Sequence, residues 1–357
     1  MPNAASQQSA SVFVMSLDKN FVVAPKRVRG EWSVTRDVTG AGTMLLQVKK
    51  ITSLAEGINA YELVDPIGGP LPEFAAGAHV DLHLGNGLIR QYSLCGDPAE
   101  RSSYIIGVLK EQAGRGGSVY LHDNVEVGSS IEVSAPRNNF RLVPANRYVF
   151  IAGGIGITPI VPMLREAQAH GADFKLYYCT RSLDRTAFRN ELRVLCDEGR
   201  AVIHHDNGDP SQGLDFGKIL AEHEPGTHLY YCGPGGLMGA ISQASAHWPA
   251  ETVHCEHFSA PTRPVESHDT DVPFRVRIVD TGAEYEVPVG ETIVNVLRRN
   301  SISVDTSCED GYCGTCMTRY VGGEPDHRDT VLDPESRQNY VLICCSRSKT
   351  PVLELEI

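Results

Sequence analysis

The chain has 357 residues, 41% of them hydrophobic and 21% charged, with a formal net charge of -12. That length fills two or three cores, and the acidic balance argues against nonspecific binding to nucleic acid or anionic membranes, both of which need a basic surface. No run approaches the ~18 uninterrupted apolar residues of a membrane helix, and the start of the chain lacks the basic, apolar, small-residue order of a secretory signal, so a cytoplasmic address is expected.

Residues 1–42 mix Ser, Gln, Ala, Lys and Arg without periodicity and read as an extension, disordered or draped over the body. From residue 43 to 147, short β-like runs alternate with Gly, Pro, Asn and Asp: Met44–Val48, Tyr61–Val64, Val80–Leu84, Tyr104–Leu109 and Ser130–Val133. Val80, Leu82 and Leu84 alternate with His79, Asp81 and His83, the period of a half-buried strand. The expected fold of this region is a small antiparallel β-barrel. Within it, Arg90-Gln-Tyr92-Ser93-Leu94 sets a guanidinium, which grips phosphate bidentately, beside an aromatic and a hydroxyl. Arg115-Gly116-Gly117-Ser118 offers free amides opening a helix, a second phosphate cradle. Taken alone, either segment also reads as a surface Arg beside a core Tyr, or as an ordinary turn.

Residues 148–258 change style. Tyr148–Ala152, Phe174–Cys179, Ala201–His204 and His228–Cys232 are buried-strand patterns separated by helical segments at Val161–Gln168 and Phe188–Leu195, which predicts a doubly wound α/β domain on a parallel sheet. Tyr148–Ala152 runs into Gly153-Gly-Ile-Gly-Ile-Thr158-Pro159, a glycine turn between a buried strand and a helix, where amides and the helix N-terminus hold a pyrophosphate. Such a turn is often only a turn. Cys232-Gly233-Pro234 ends another strand of the same sheet, and the carboxyl ends of parallel strands converge on one crevice. Asp206, after the third parallel strand, is placed to repel a 2'-phosphate, whereas Arg181 is placed to attract one.

Ser259–Pro273 is rich in Pro, Thr, Ser and Asp and reads as an exposed linker, leaving a third domain at residues 274–357. The ten cysteines of the chain point to metal or redox chemistry rather than a disulfide framework in a cytoplasmic protein. Cys308-x4-Cys313-x2-Cys316, with Cys344-Cys345 far downstream, has the plant-type spacing for a 2Fe-2S cluster, in which one tight loop and one distant segment supply four thiolates. A zinc site usually wants two separated Cys-x2-Cys knuckles, and the second is missing. Only one of Cys344 and Cys345 is expected to ligate, since neighbours on an extended strand face opposite ways.

In this order, the Arg90, Gly153–Pro159, Cys232–Pro234 and cysteine-loop motifs resemble the phthalate dioxygenase reductase family, with further matches at Gly114–Ser118, His204–Asp206, His247–Pro249 and Asp326–Asp329. The likeness runs from Met44 to Ile357. It implies FMN, NADH and a 2Fe-2S cluster in one chain, a β-grasp (α+β) ferredoxin domain at the C-terminus, and a Rieske-type oxygenase as electron acceptor. By motif, Arg90, Tyr92, Ser93, Leu94, Gly107, Val108, Gly116, Gly117 and Ser118 would line FMN. Gly154, Gly156, Thr158, Arg181, Asp206, Cys232, Gly233 and Pro234 would line NADH, and Phe258 would shield the flavin near the nicotinamide pocket. Cys308, Cys313, Cys316 and Cys344 would hold the cluster. The expected function is an NADH-dependent reductase feeding an aromatic-acid dioxygenase. A reductase for a demethylating Rieske monooxygenase is the alternative, and a noncatalytic redox-sensing module is the rival from another class. A hydride carries two electrons and the cluster accepts one at a time, so the flavin must hold the odd electron. No general acid or base and no catalytic triad is expected.

Overall fold

Strands of the first sheet appear where apolar side chains recur every second residue. The computed structural model describes residues 35–36, 42–258, 271–306 and 308–357; the extension, but for three residues, and the linker up to residue 270 lie outside them. The first sheet contains β1 (Thr35–Arg36), β2 (Gly42–Ala55), β3 (Ile58–Val64), β4 (His79–His83), β5 (Ile89–Ser93), β6 (Tyr104–Leu109) and β7 (Ser130–Ser134). Its order is β5-β4-β7-β2-β3-β6, with β1 on β2, all antiparallel. A Leu94–Ile106 bridge joins the two outer members and closes the sheet into a barrel, which removes its open edges. Leu46, Tyr61, Leu63, Val80, Leu82 and Ile106 fill it, and helix α1 (Gly117–Asn124) contributes Leu121 to the same core.

β4 departs from the half-buried expectation. His79 and Asp81, on its polar face, are 1% and 3% exposed. Arg137 covers that face from the barrel side, 2.6 Å from the Asp81 carboxylate, and Thr315 of the third domain covers it from the other.

In the second sheet β8 (Arg147–Gly153), β9 (Asp173–Thr180), β10 (Ala201–His205), β11 (Thr227–Cys232) and β12 (Val253–Glu256) lie in the order β10-β9-β8-β11-β12, every neighbour parallel. Helices α2 (Ile157–Ala169), α3 (Arg189–Asp197), α4 (Phe216–Ile219) and α5 (Gly235–Ala244) connect them. The order reverses between β8 and β11, which is where a doubly wound sheet opens its crevice.

The third sheet holds β13 (Phe274–Ile278), β14 (Glu284–Val287), β15 (Met317–Gly322), β17 (Tyr340–Leu342) and β19 (Val352–Glu356), while β16 (Pro325–Asp326) pairs with β18 (Arg347–Ser348). β13 and β19 are parallel and their neighbours antiparallel. Helix α6 (Ile293–Arg299) packs Ile293, Val294, Val296 and Leu297 into this sheet's core. Its N-cap Thr292 accepts from the Asn295 amide at 3.1 Å, a cap that contributes about 1 kcal/mol. The Asp326–Asp329 motif braces this domain against the described end of the linker. Arg328 binds both Asp271 and Asp326, and the Asp271 side chain is 5% exposed, so that end is anchored rather than free.

Candidate functional site: a flavin, nucleotide and cluster relay

The barrel, the parallel sheet and the cysteine loop bring their motifs to one place. On β5, Arg90 and Tyr92 share a face, and Gln91 and Ser93 take the opposite one. Tyr92 packs against the barrel core, and burial pushes its phenol above the usual range. Arg90 turns into the Gly114–Ser118 loop, donating to the Arg115 carbonyl at 2.6 Å. A Cβ on Gly117 would stand 2.3 Å from Arg90 Cγ, so only glycine lets the loop backbone close over the guanidinium. Gly116 takes the left-handed conformation at φ 81, and α1 begins with no side-chain cap on its amides. An arginine under a bare helix N-terminus suits a terminal phosphate. Ser118 Oγ is engaged by the Glu111 amide at 3.0 Å. Leu94 and Val108 are fully buried in the barrel core, so they offer a ligand backbone only. Over Gly107 the Thr158 methyl leaves no room for a Cβ, at 2.7 Å.

At the switch point, β8 and β11 run in register to Ala152–Cys232. A Cβ on Gly156 would lie 2.3 Å from the Cys232 carbonyl oxygen and 2.8 Å from the Gly233 nitrogen, so the glycine turn and the Cys232–Pro234 turn touch backbone to backbone. Gly154 adopts φ 53, and Thr158 Oγ1 donates to the Ile155 carbonyl at 2.9 Å. Cys232 is fully buried, and burial pushes its thiol well up, so it is a wall and not a nucleophile. Arg181 and Asp206 follow β9 and β10 directly, on strands paired His205–Thr180. The Asp206 carboxylate accepts the Gly208 amide at 2.8 Å, while Arg181 is exposed. Both stand at the carboxyl end of the sheet, as the opposing readings of cofactor choice require.

Cys308, Cys313, Cys316 and Cys344 are all buried, at 2–4% exposure. Backbone amides aim at the sulfurs: Cys308 N and Thr315 N at Cys313 Sγ, 3.4 and 3.5 Å, and Asp310 N at Cys308 Sγ, 3.4 Å. The Cys344 thiol interacts with those of Cys308 and Cys316. Among the described residues no three His, Cys, Asp or Glu side chains converge as ligands of a single ion would; a two-iron cluster instead spreads its four thiolates over two metals. The Cys345 thiol also interacts with that of Cys344, and lies 2.6 Å from where a Cβ on Gly311 would stand and 3.8 Å from Ser346 Oγ. Gly311, at φ 78, leaves the space this second thiol fills.

The cysteine loop is tied to β5 and to the loop before α1. Arg115 Nη1 donates to the Cys308 carbonyl at 2.6 Å and Gln91 Nε2 to the Cys313 carbonyl at 3.2 Å. Tyr312 donates to the carbonyl of Phe258 at 3.2 Å; the Phe258 side chain is 38% exposed. Sequence reading missed Gln91, Tyr312 and the bridging role of Arg115. Their one legible signal was position, between residues that do carry motifs.

Residues 276–349 match the family described as the 2Fe-2S iron-sulfur cluster binding domain, and residues 150–243 match the oxidoreductase NAD-binding domain. The reductase subunit of a tert-butanol monooxygenase / tert-amyl alcohol desaturase from Aquincola tertiaricarbonis is 46% identical, over 87% of this chain and 95% of its own length. A vanillate O-demethylase oxidoreductase from Pseudomonas sp. (strain HR199 / DSM 7063) is 47% identical, over 85% and 96%. The solved structure of a phthalate dioxygenase reductase, described as modular for electron transfer from pyridine nucleotides to 2Fe-2S, superposes with a TM-score of 0.66 at 41% identity, covering 88% of this chain and 98% of the other.

Proposed function

Because the chain belongs to the phthalate dioxygenase reductase family, we propose that it takes electron pairs from NADH and delivers them singly, through FMN and a 2Fe-2S cluster, to a Rieske-type oxygenase in the cytoplasm. The observation that carries this reading is the tie between the cysteine loop and the flavin strand, Gln91 to Cys313 and Arg115 to Cys308. A relay needs its two centres held at short range, and these bonds join the backbone of two cluster ligands to the strand and loop of the flavin site.

When bound, FMN accepts a hydride and gives up single electrons, and the cluster carries one electron at a time. The residues of the chain bind, orient and insulate. Arg90 and the α1 amides would hold the flavin phosphate, Tyr92 would line its ring, and Ser93 would offer a hydroxyl to its polar edge. The Gly153–Thr158 turn and Cys232–Pro234 would hold the dinucleotide in the switch-point crevice, and Phe258 would shield the flavin near the nicotinamide pocket. Cys308, Cys313, Cys316 and Cys344 would hold the cluster, with the Asp310 and Thr315 amides directed at the sulfurs. The domain limits we assign are residues 43–147, 148–258 and 274–357.

A second reading concerns the partner. Relatives serving a tert-butanol monooxygenase and vanillate demethylases, at 37–47% identity, stand beside phthalate relatives at 41–42%, so a monooxygenase or demethylase partner is an equal reading to an aromatic-acid dioxygenase. Purified protein should carry one noncovalent FMN and two irons per chain, and anaerobic NADH should bleach the flavin and then the cluster absorbance. Acid release of FAD, or a flavin that NADH leaves oxidised, would refute the proposal.

A further inference from the structure

The Asp326–Asp329 motif has a second face, turned toward the cysteine loop. The Asp329 side chain is wholly buried and stands against that loop. A Cβ on Gly311 would lie 3.4 Å from Asp329 Cα, and the Thr330 amide donates to the Gly311 carbonyl at 3.1 Å. On its other side the Arg328 amide donates to Ser346 Oγ at 3.4 Å, and Ser346 Oγ lies 3.8 Å from Cys345 Sγ. Residues 328–330 therefore clasp both segments that supply the cluster thiolates, and the Asp329 carboxylate acts electrostatically on the Cys345 thiol, next to Cys344.

Folding alone does not account for a carboxylate at this position. Asp329 Oδ2 accepts the Val331 and Leu332 amides at 3.2 and 2.8 Å, which an asparagine oxygen would do equally well. Oδ1 has no hydrogen bond, and neither does His327 Nδ1, 3.5 Å from it, a gap that an asparagine amide would fill. Of the guanidiniums nearby, Arg328 is committed to Asp271 and Asp326. Arg337 faces Oδ2 at 3.4 Å with its own side chain 39% exposed, so water screens much of its charge and the buried carboxylate is only partly offset. A buried charge met this incompletely is costly, and its position beside the cysteine loop points to a use.

One-electron reduction of a 2Fe-2S cluster adds one negative charge, and no protein bond forms or breaks. The potential of such a cluster follows the net charge, hydrogen bonding and solvent exposure around its sulfurs. A negative charge in a dry setting close to those sulfurs opposes the added electron, and a positive one favours it. We propose that Asp329 sets the reduction potential of the cluster, holding it low, with Arg337 as the counterweight. The low setting keeps electrons from resting on the cluster and favours their onward transfer to the acceptor. The inference rests on the cysteine ligands assigned above.

The test is an anaerobic redox titration of the full holoprotein, with the cluster midpoint read from the reduced-cluster electron paramagnetic resonance signal. Asp329→Asn keeps the size of the side chain and both amide bonds, and should raise the equilibrium constant for cluster reduction about tenfold, which is about 59 mV for a one-electron couple. Arg337→Gln should move the midpoint the opposite way, by about twofold in that constant, less because Arg337 is the more exposed of the two. Opposite signs separate charge from structure, since a loop loosened by either change would admit water and shift both variants alike. During stepwise addition of NADH, Asp329→Asn should also gather more electrons on the cluster at a given degree of flavin bleaching. An unchanged midpoint in Asp329→Asn, or shifts of the same sign in both variants, would overturn the inference. If Asp329→Asn binds no iron, Arg337→Gln decides, and a midpoint that stays or rises there overturns it. Wild-type protein that lacks the iron or the reduced-cluster signal would show instead that the ligand assignment fails.

Discussion

Gly156→Ala isolates the backbone contact that builds the nucleotide crevice. Its φ of -63 is ordinary for alanine, so conformational preference drops out and only crowding remains. The new methyl would stand 2.3 Å from the Cys232 carbonyl oxygen and 2.5 Å from its carbon, roughly 1 Å inside normal contact. All the struck atoms are backbone at the end of β11, so no rotamer change relieves the clash; β8 and β11 must part at the switch point. Overpacking of this kind costs about 1–3 kcal/mol, and a loss of ~2 kcal/mol lowers the melting midpoint by about 4–8 °C. The same displacement should weaken NAD⁺ binding at least tenfold, about 1.4 kcal/mol. Gly239→Ala in α5, where a Cβ meets nothing within 4 Å, is the control and should stabilise by about 0.5–1 kcal/mol. Calorimetric NAD⁺ titration with thermal melts reads both effects, and flavin absorbance reports whether the barrel survives. A Gly156→Ala protein with unchanged melting and affinity would refute the crowding argument.

Cys344→Ser should abolish the reduced-cluster electron paramagnetic resonance signal and the bound iron, while Cys345→Ser keeps both, because the Cys345 thiol packs behind Gly311; the reverse outcome would reassign the ligand. Dye acceptors that draw on the flavin should stay active in the Cys344→Ser protein, since the flavin and nucleotide cores form separately from the third domain's core. Wild-type protein should prefer NADH, and Asp206→Ala should raise NADPH turnover several-fold; equal turnover in the wild type would mean that Arg181 prevails. Burial, with His228 adjacent at 2.9 Å, holds His254 down to about 4. Since the unfolded imidazole takes its proton near pH 6.5, stability should fall as pH drops from about 6.5 to 4. His254→Phe, which retains a ring over Tyr230, should flatten that fall in urea midpoints, and an equally steep fall would exclude His254 as its source.

Much of the architecture was legible locally. Tyr104–Leu109 matches β6 residue for residue, and the four named parallel strands each fall within one residue of β8 to β11 at either end, because alternation and buried apolar runs are properties of short segments. The 2Fe-2S domain was legible for a related reason, since a loop that wraps two irons fixes its own cysteine spacing. β4 was not: its alternating pattern implied one wet face, and that face is dry because Arg137 and a loop 234 residues away cover it. Contacts between segments so distant leave no periodic trace in either.

The same limit separates the two cysteines and the two functions of β5. Sequence alone led to the expectation that only one of Cys344 and Cys345 is a ligand; only the tertiary structure places the Cys345 thiol against Gly311. Sequence marked Arg90, Tyr92 and Ser93, but Gln91 between them carried no signal, because its partner is the Cys313 carbonyl, 222 residues on. The cleft lined by His79, Gln91, Glu256 and Tyr312 exists only where three separately patterned segments meet. Composition and spacing record what a segment needs in order to fold and to hold its own ligand, whereas the burial that lowers the proton affinity of His79 arises only when separate surfaces pack against one another.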